Sequence, residues 1–137
     1  MSVTLKRHPD TIFKLQSVAH PTHYLQVKDG SSEHGAELIV GPEVPGSKRH
    51  LWQFRVDTES IQNVETGTYA VWNESGAICS KTPQAWKIHE HDDGHHSFQV
   101  AGQDVFATAT SDSGSIKTHA TTKSSSHPGQ KWKIVVV

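Results

Sequence analysis

A chain of 137 residues has the length of one domain, enough to bury a core of its own and too short for two. With 34% hydrophobic residues and a mean hydropathy of −0.55, that core must be economical, and no run approaches the roughly 18 apolar residues of a membrane span. The net charge of −1 gives no basic footprint for nucleic acid.

Residues 1–14 lack the apolar stretch of a secretory signal, so the cytoplasm is the expected compartment. The single cysteine, Cys79, excludes an intramolecular disulfide and lies in an apolar stretch where a small buried hydrophobe is expected. Protonation of all eleven histidines would carry the net charge from −1 to +10, so the surface potential can change sign between roughly pH 7 and 5.

In chain order, residues 2–9 are polar and lead into a first strand at 11–18. Ala19-His20-Pro21-Thr22 is a turn, because proline cannot donate to a ladder. A second strand follows at 24–27, then the polar hairpin loop from Asp29 to Gly35, whose two glycines accept positive φ. After a third strand at 37–40, two prolines and two glycines between Gly41 and Gly46 exclude regular structure. Lys48-Arg49-His50 then leads into Leu51-Trp52-Gln53-Phe54-Arg55-Val56.

That last stretch recurs as Ala85-Trp86-Lys87-Ile88-His89 and Lys131-Trp132-Lys133-Ile134-Val135. Each is a tryptophan followed by polar and apolar residues in alternation, the period-two pattern of a strand with one buried face. Gln84 and Gln130 stand two places before the second and third tryptophans, and the tryptophans are 34 and 46 residues apart. The segments upstream also match. Leu15-Gln16, Ile61-Gln62 and Phe98-Gln99 share an apolar-Gln opening, each followed by an aromatic strand start at Tyr24, Tyr69 or Phe106. Third strands are expected at 77–80 and 115–119, a hairpin turn between His89 and His96, and a surface loop over 121–129.

Short strands with frequent turn signals and no sustained helical period predict an all-β protein. Four strands repeated three times, with three equivalent tryptophans, resemble the β-trefoil, a pseudo-threefold six-stranded barrel capped by three hairpins. One domain over 1–137 is expected, with repeats at about 11–59, 60–94 and 95–137. The expected core is Leu15, Leu25, Trp52, Phe54, Ile61, Ile88, Phe98, Phe106, Trp132 and Ile134.

The Gln-x-Trp motifs, the apolar-Gln openings and Asp29-Gly30-Ser31-Ser32 resemble the ricin B-type β-trefoil lectins, in particular those of mushroom fruiting bodies. That resemblance implies a carbohydrate-binding protein of fungal defence type, with glycans or glycoproteins as partners, no cofactor, and a monomeric or homodimeric state. It places the sugar-binding aspartate of such lectins at Gln26, Val71 and Thr108, none of which is acidic. A displaced site is therefore expected around Trp72, the one tryptophan outside the repeated set, with Asn73, Glu74, His95 and His96.

The alternative is a β-trefoil serine protease inhibitor that offers Lys28 and Asp29 to a trypsin-like protease, with Lys48, Arg49 and Lys123 as further basic loop positions. A third reading, a pH-dependent actin or membrane binder of hisactophilin type, rests on the histidine count, but the histidines are not periodic. No Gly-x-Ser-x-Gly or His-Glu-x-x-His motif supports catalysis. His89, His91, His95 and His96 could hold a metal only if one hairpin brought them together, and no metal is expected.

Overall fold

The computed structural model describes residues 11–73, 76–91, 94–103, 105–111, 116–122 and 130–137. Its elements are β1 (Ile12–Ser17), β2 (Tyr24–Val27), β3 (Leu38–Gly41), β4 (Trp52–Arg55), β5 (Ser60–Asn63), β6 (Tyr69–Asn73), β7 (Gly76–Ser80), β8 (Trp86–Glu90), β9 (His96–Val100), β10 (Val105–Ser111), β11 (Ile116–Thr122) and β12 (Trp132–Val136). Between β2 and β3 a single 3-10 turn spans Lys28–Gly30. Among the described residues no helix is long and apolar enough to cross a membrane.

The strands fall into three equivalent sets, and the ladder registers show it residue by residue. Gln16 pairs with Tyr24, Gln62 with Tyr69 and Gln99 with Phe106, so each apolar-Gln opening lies against the aromatic start of the next strand. Trp52 pairs with Asn63, Trp86 with Val100 and Trp132 with Ser17, one residue beyond each of those glutamines. The last of these ladders joins β12 to β1, so the chain closes on itself and its terminal strands are not free edges.

The repeated residues have physical reasons. Each tryptophan is buried and its indole N–H donates to a main-chain carbonyl at the same place in its repeat: Trp52 to Leu25 (2.9 Å), Trp86 to Ala70 (2.8 Å) and Trp132 to Ala107 (3.2 Å). A buried indole needs such a partner, so these bonds anchor a barrel strand to a cap hairpin. Each repeated glutamine closes the turn after its strand, its side-chain amide donating to the carbonyl of Pro21, Gly67 (2.9 Å) or Gln103 (2.7 Å).

The β2–β3, β6–β7 and β10–β11 hairpins form the cap. β11 pairs with β3 through Ile116–Val40 and Lys117–Ile39, and the β3 side meets β7 through mutual bonds of Gly35, Ala36 and Cys79 at 2.7 Å. The third hairpin is longer than expected from sequence, because Thr121 and Thr122 continue β11 instead of opening a loop. Threonine is β-branched and favours strands.

The barrel interior is filled by threefold-related side chains. Leu15, Ile61 and Phe98 form one layer with Leu25, Ala70, Ala107, Trp86 and Trp132, and the void left among them is only about 20 Å³ and wholly apolar. A space of that size holds about one water and offers it no polar partner, so the interior is not a ligand site. Of the expected core, Ile88 departs from the pattern: it is half-buried and packs against the cluster from outside. Among the described residues its strand, β8, has a full ladder with β9 and meets the segment before β5 through the Trp86 N–H bond to the Glu59 carbonyl.

Candidate functional site

Trp72 lies at the outer end of β6, opposite Ala77 across the hairpin. It is half-buried, packed on the core along one side, whereas Trp52, Trp86 and Trp132 are 0%, 5% and 1% exposed. Its main chain is strapped. The Trp72 N–H donates to the Gln84 side-chain oxygen at 2.8 Å, and the Gln84 amide donates to the Trp72 carbonyl at 3.4 Å. Gln84 is the glutamine of the middle Gln-x-Trp motif, so the motif holds a cap strand as well as marking the repeat. An aromatic ring mounted this way is already ordered before any ligand arrives, which lowers the entropic cost of binding.

Asn73 ends β6 in register with Gly76, and Glu74 lies outside the described residues. His95 and His96 stand at the start of β9, on a strand that is not a ladder neighbour of β6. His96 is 3% exposed and paired with Trp132 and Glu90. His95 lines a recess of about 220 Å³ together with Gln16, Ser17, Val18, Pro21 and Lys133, and Trp72 is not in its wall. Trp72 and His95 thus do not share a recess wall, and His96 is buried.

The other histidines of this region are engaged locally. His89 Nε2 hydrogen-bonds with Gln99 Oε1 at 2.8 Å and its ring tilts against Phe106, while His91 Nε2 meets Ser97 Oγ at 3.1 Å. Among the described residues no three histidine, cysteine, aspartate or glutamate side chains gather as a metal site would require. The Cys79 thiol is buried and pushed up to about 11 by desolvation, with a hydrogen bond to Thr68 acting in the opposite direction.

No family model and no curated sequence matches this chain. Solved structures do. The designed threefold-symmetric protein ThreeFoil is 16% identical with a TM-score of 0.81, over 93% of this chain and all of that one. The Rhizoctonia solani agglutinin is 16% identical at 0.79, over the whole of both chains, and the Macrolepiota procera ricin B-like lectin, solved with lactose, is 13% identical at 0.78, over 98% of this chain and 99% of that one. The fold is the β-trefoil of the ricin B-like lectins.

Within this trefoil the positions that resemblance assigns to the sugar-binding aspartate are closed. Gln26, Val71 and Thr108 are 3%, 9% and 1% exposed. The Gln26 amide donates to the Pro42 carbonyl at 3.0 Å and rests on Gly41, where an added Cβ would come within 3.2 Å of it. The Thr108 hydroxyl donates to the Phe106 carbonyl at 3.0 Å. None of the three projects a hydrogen-bonding group to solvent.

Lys28 is 55% exposed, with its ammonium 3.5 Å from Glu37. It opens the 3-10 turn in which Asp29 (φ 57°) and Gly30 (φ 63°) both have left-handed backbone. A Cβ on Gly30 would fall 2.5 Å from a carboxylate oxygen of Glu65, the far end of an exposed side chain that can move aside, so it is the positive φ that favours glycine there. This tight turn is not the extended backbone that pairs with another chain. Arg49 is tied to Ser47, Nε donating to Oγ at 2.9 Å, and Lys123 lies outside the described residues.

One buried polar residue has a role that sequence reading missed. His50 occupies the place of the motif glutamine in the first repeat, two residues before Trp52, and is 7% exposed. Its Nε2 lies 3.7 Å from Glu43, its ring tilts against Tyr24, and among the described residues Nδ1 has no hydrogen-bond partner. Burial holds the imidazole below its ordinary value, against the pull of Glu43. Glu43 itself is held low by its hydrogen bond from Lys14. The missing glutamine of the first repeat was the signal that marked this position.

Proposed function

We propose that this trefoil is a non-enzymatic carbohydrate-binding protein whose sugar contact is built on Trp72 and Asn73 at the outer end of the β6–β7 hairpin, with Glu74, next in sequence, as a further candidate. The observation that supports this most is the half-buried indole of Trp72, fixed by Gln84 where the other tryptophans are sealed in the core. An indole face stacks on the apolar face of a sugar ring, and nearby amide and carboxylate groups read its hydroxyls. The likeness to the Macrolepiota lectin solved with lactose supports the ligand class.

The decisive experiment is a glycan array on the parent protein followed by titration of its best ligand against Trp72→Ala. Loss of an aromatic anchor costs 2 kcal/mol or more, roughly thirtyfold in affinity, with the far-UV circular dichroism unchanged. Undiminished affinity in the variant would move the site elsewhere, and an empty array would end the lectin reading. A defence role is the setting we propose for it, supported by the likeness to two fungal lectins. Array hits confined to fungal wall glycans would refute that setting.

A further inference from the structure

The recess between repeats one and three has a composition that the fold does not require. Its wall is made by Gln16 and Ser17 at the end of β1, Val18 and Pro21 in the turn after it, Lys133 on β12 and His95 before β9. Gln16 and Lys133 face each other across the β1–β12 ladder. The turn behind them is fixed three times: the Gln16 amide donates to the Pro21 carbonyl, the His20 N–H to the fully buried Ser17 Oγ at 3.1 Å, and the Val18 N–H to the Lys131 carbonyl at 3.2 Å.

Threefold symmetry supplies an internal control. The ladders put Gln53 with Gln62 and Lys87 with Gln99 at the places of Lys133 and Gln16. The residues preceding Phe13 and Glu59, which correspond to His95, are Ile12 and Thr58. Gln99 is further occupied by its bond with His89. An imidazole at the position of His95 therefore stands beside the Lys–Gln pair at only one of the three equivalent places, the imidazole near Lys87 and Gln99 being His89 of the neighbouring strand, bonded to that glutamine.

We infer that this recess binds a single carboxylate-bearing sugar ring, such as a uronic acid, at a site separate from Trp72. None of the six wall residues is acidic, and among the described residues Lys133 forms no salt bridge. The ammonium of Lys133 pairs with the carboxylate, a charge-assisted contact. Val18 and Pro21 give the ring an apolar surface, and the side chains of Gln16 and His95 meet its hydroxyls. At about 220 Å³ the recess lies below the roughly 300–1,000 Å³ of sites that enclose larger ligands, which suits one ring and not a chain of them.

The test is calorimetric titration of the whole protein with glucuronate, glucose and inorganic phosphate, with the contacts mapped by amide chemical shifts. Glucuronate should bind at least about tenfold more tightly than glucose, the margin of one charge-assisted hydrogen bond. Its shifts should centre on residues 16–18, 95 and 133. Lys133→Gln should erase that margin, Lys133→Arg should keep most of it, and Lys87→Gln, at the equivalent place, should leave it intact. Equal binding of glucose, an unaltered Lys133→Gln protein, or shifts centred elsewhere would overturn the proposal. Displacement of glucuronate by phosphate at matching affinity would also overturn it, by showing a site for a simple anion. Because the readout is local, failure of the Trp72 site leaves this result interpretable.

Discussion

Truncating Trp52 to alanine should be among the most destabilising single changes in this molecule. The residue is fully buried, and its indole N–H holds the Leu25 carbonyl at 2.9 Å, joining barrel strand β4 to cap strand β2. Removing a buried tryptophan costs on the order of 3–5 kcal/mol, a large share of the stability of an ordinary domain. At about 2.1 cal/mol/K of unfolding entropy per residue, 137 residues give about 0.29 kcal/mol/K, so each kcal/mol lowers Tm by ~3.5 °C. The expected fall is ~10–17 °C. Trp52→Phe keeps most of the ring but takes the donor away from a buried carbonyl, which costs about 1–3 kcal/mol, or ~4–10 °C. Trp72→Ala, which removes a half-buried ring, should cost no more than about 2 kcal/mol. Thermal unfolding followed by circular dichroism ranks the three. A Trp52→Ala protein that melts no lower than Trp72→Ala would refute the division of the tryptophans into three anchors and one surface residue.

Two further outcomes follow from titrating groups. His50 is buried and favours its neutral form, so the folded protein keeps its full stability above about pH 6.5, the ordinary value, and loses stability as pH falls and the unfolded chain takes up the proton first. His50→Gln, which installs the residue of the other two motifs, should flatten the fall in urea-unfolding free energy between pH 7 and 5, and an unchanged slope would remove His50 as its source. The raised Cys79 thiol predicts that a disulfide reagent at pH 8 labels the protein only after unfolding. In the same sense, the stability it contributes is complete below its ordinary 9.0 and lost as pH rises through about 11. Prompt labelling of the folded protein would contradict the burial of this thiol.

The all-β class, the threefold repeat and most of the core were legible in the sequence, because they depend on local pattern. A tryptophan in a period-two context must bury one face, and three of them at matching places in a repeat define three equivalent strands. The non-acidic residues at 26, 71 and 108 were legible for the same reason, since position within a repeat fixes position within the fold. What the repeated glutamines do was not legible. Gln16, Gln62 and Gln99 clamp their own turns while Gln84 straps Trp72, and a sequence shows an amide without showing which carbonyl lies in reach. Ile88 matches a core pattern, yet it stays half-buried because burial depends on which strands flank β8. Only closure of the barrel decides that His95 stands beside Gln16 and Lys133, nearly 80 residues apart from the first of these in the chain, and not in the wall that carries Trp72. The β12–β1 and β12–β9 ladders bring those residues together, and long-range pairing of that kind follows from how the whole sheet closes.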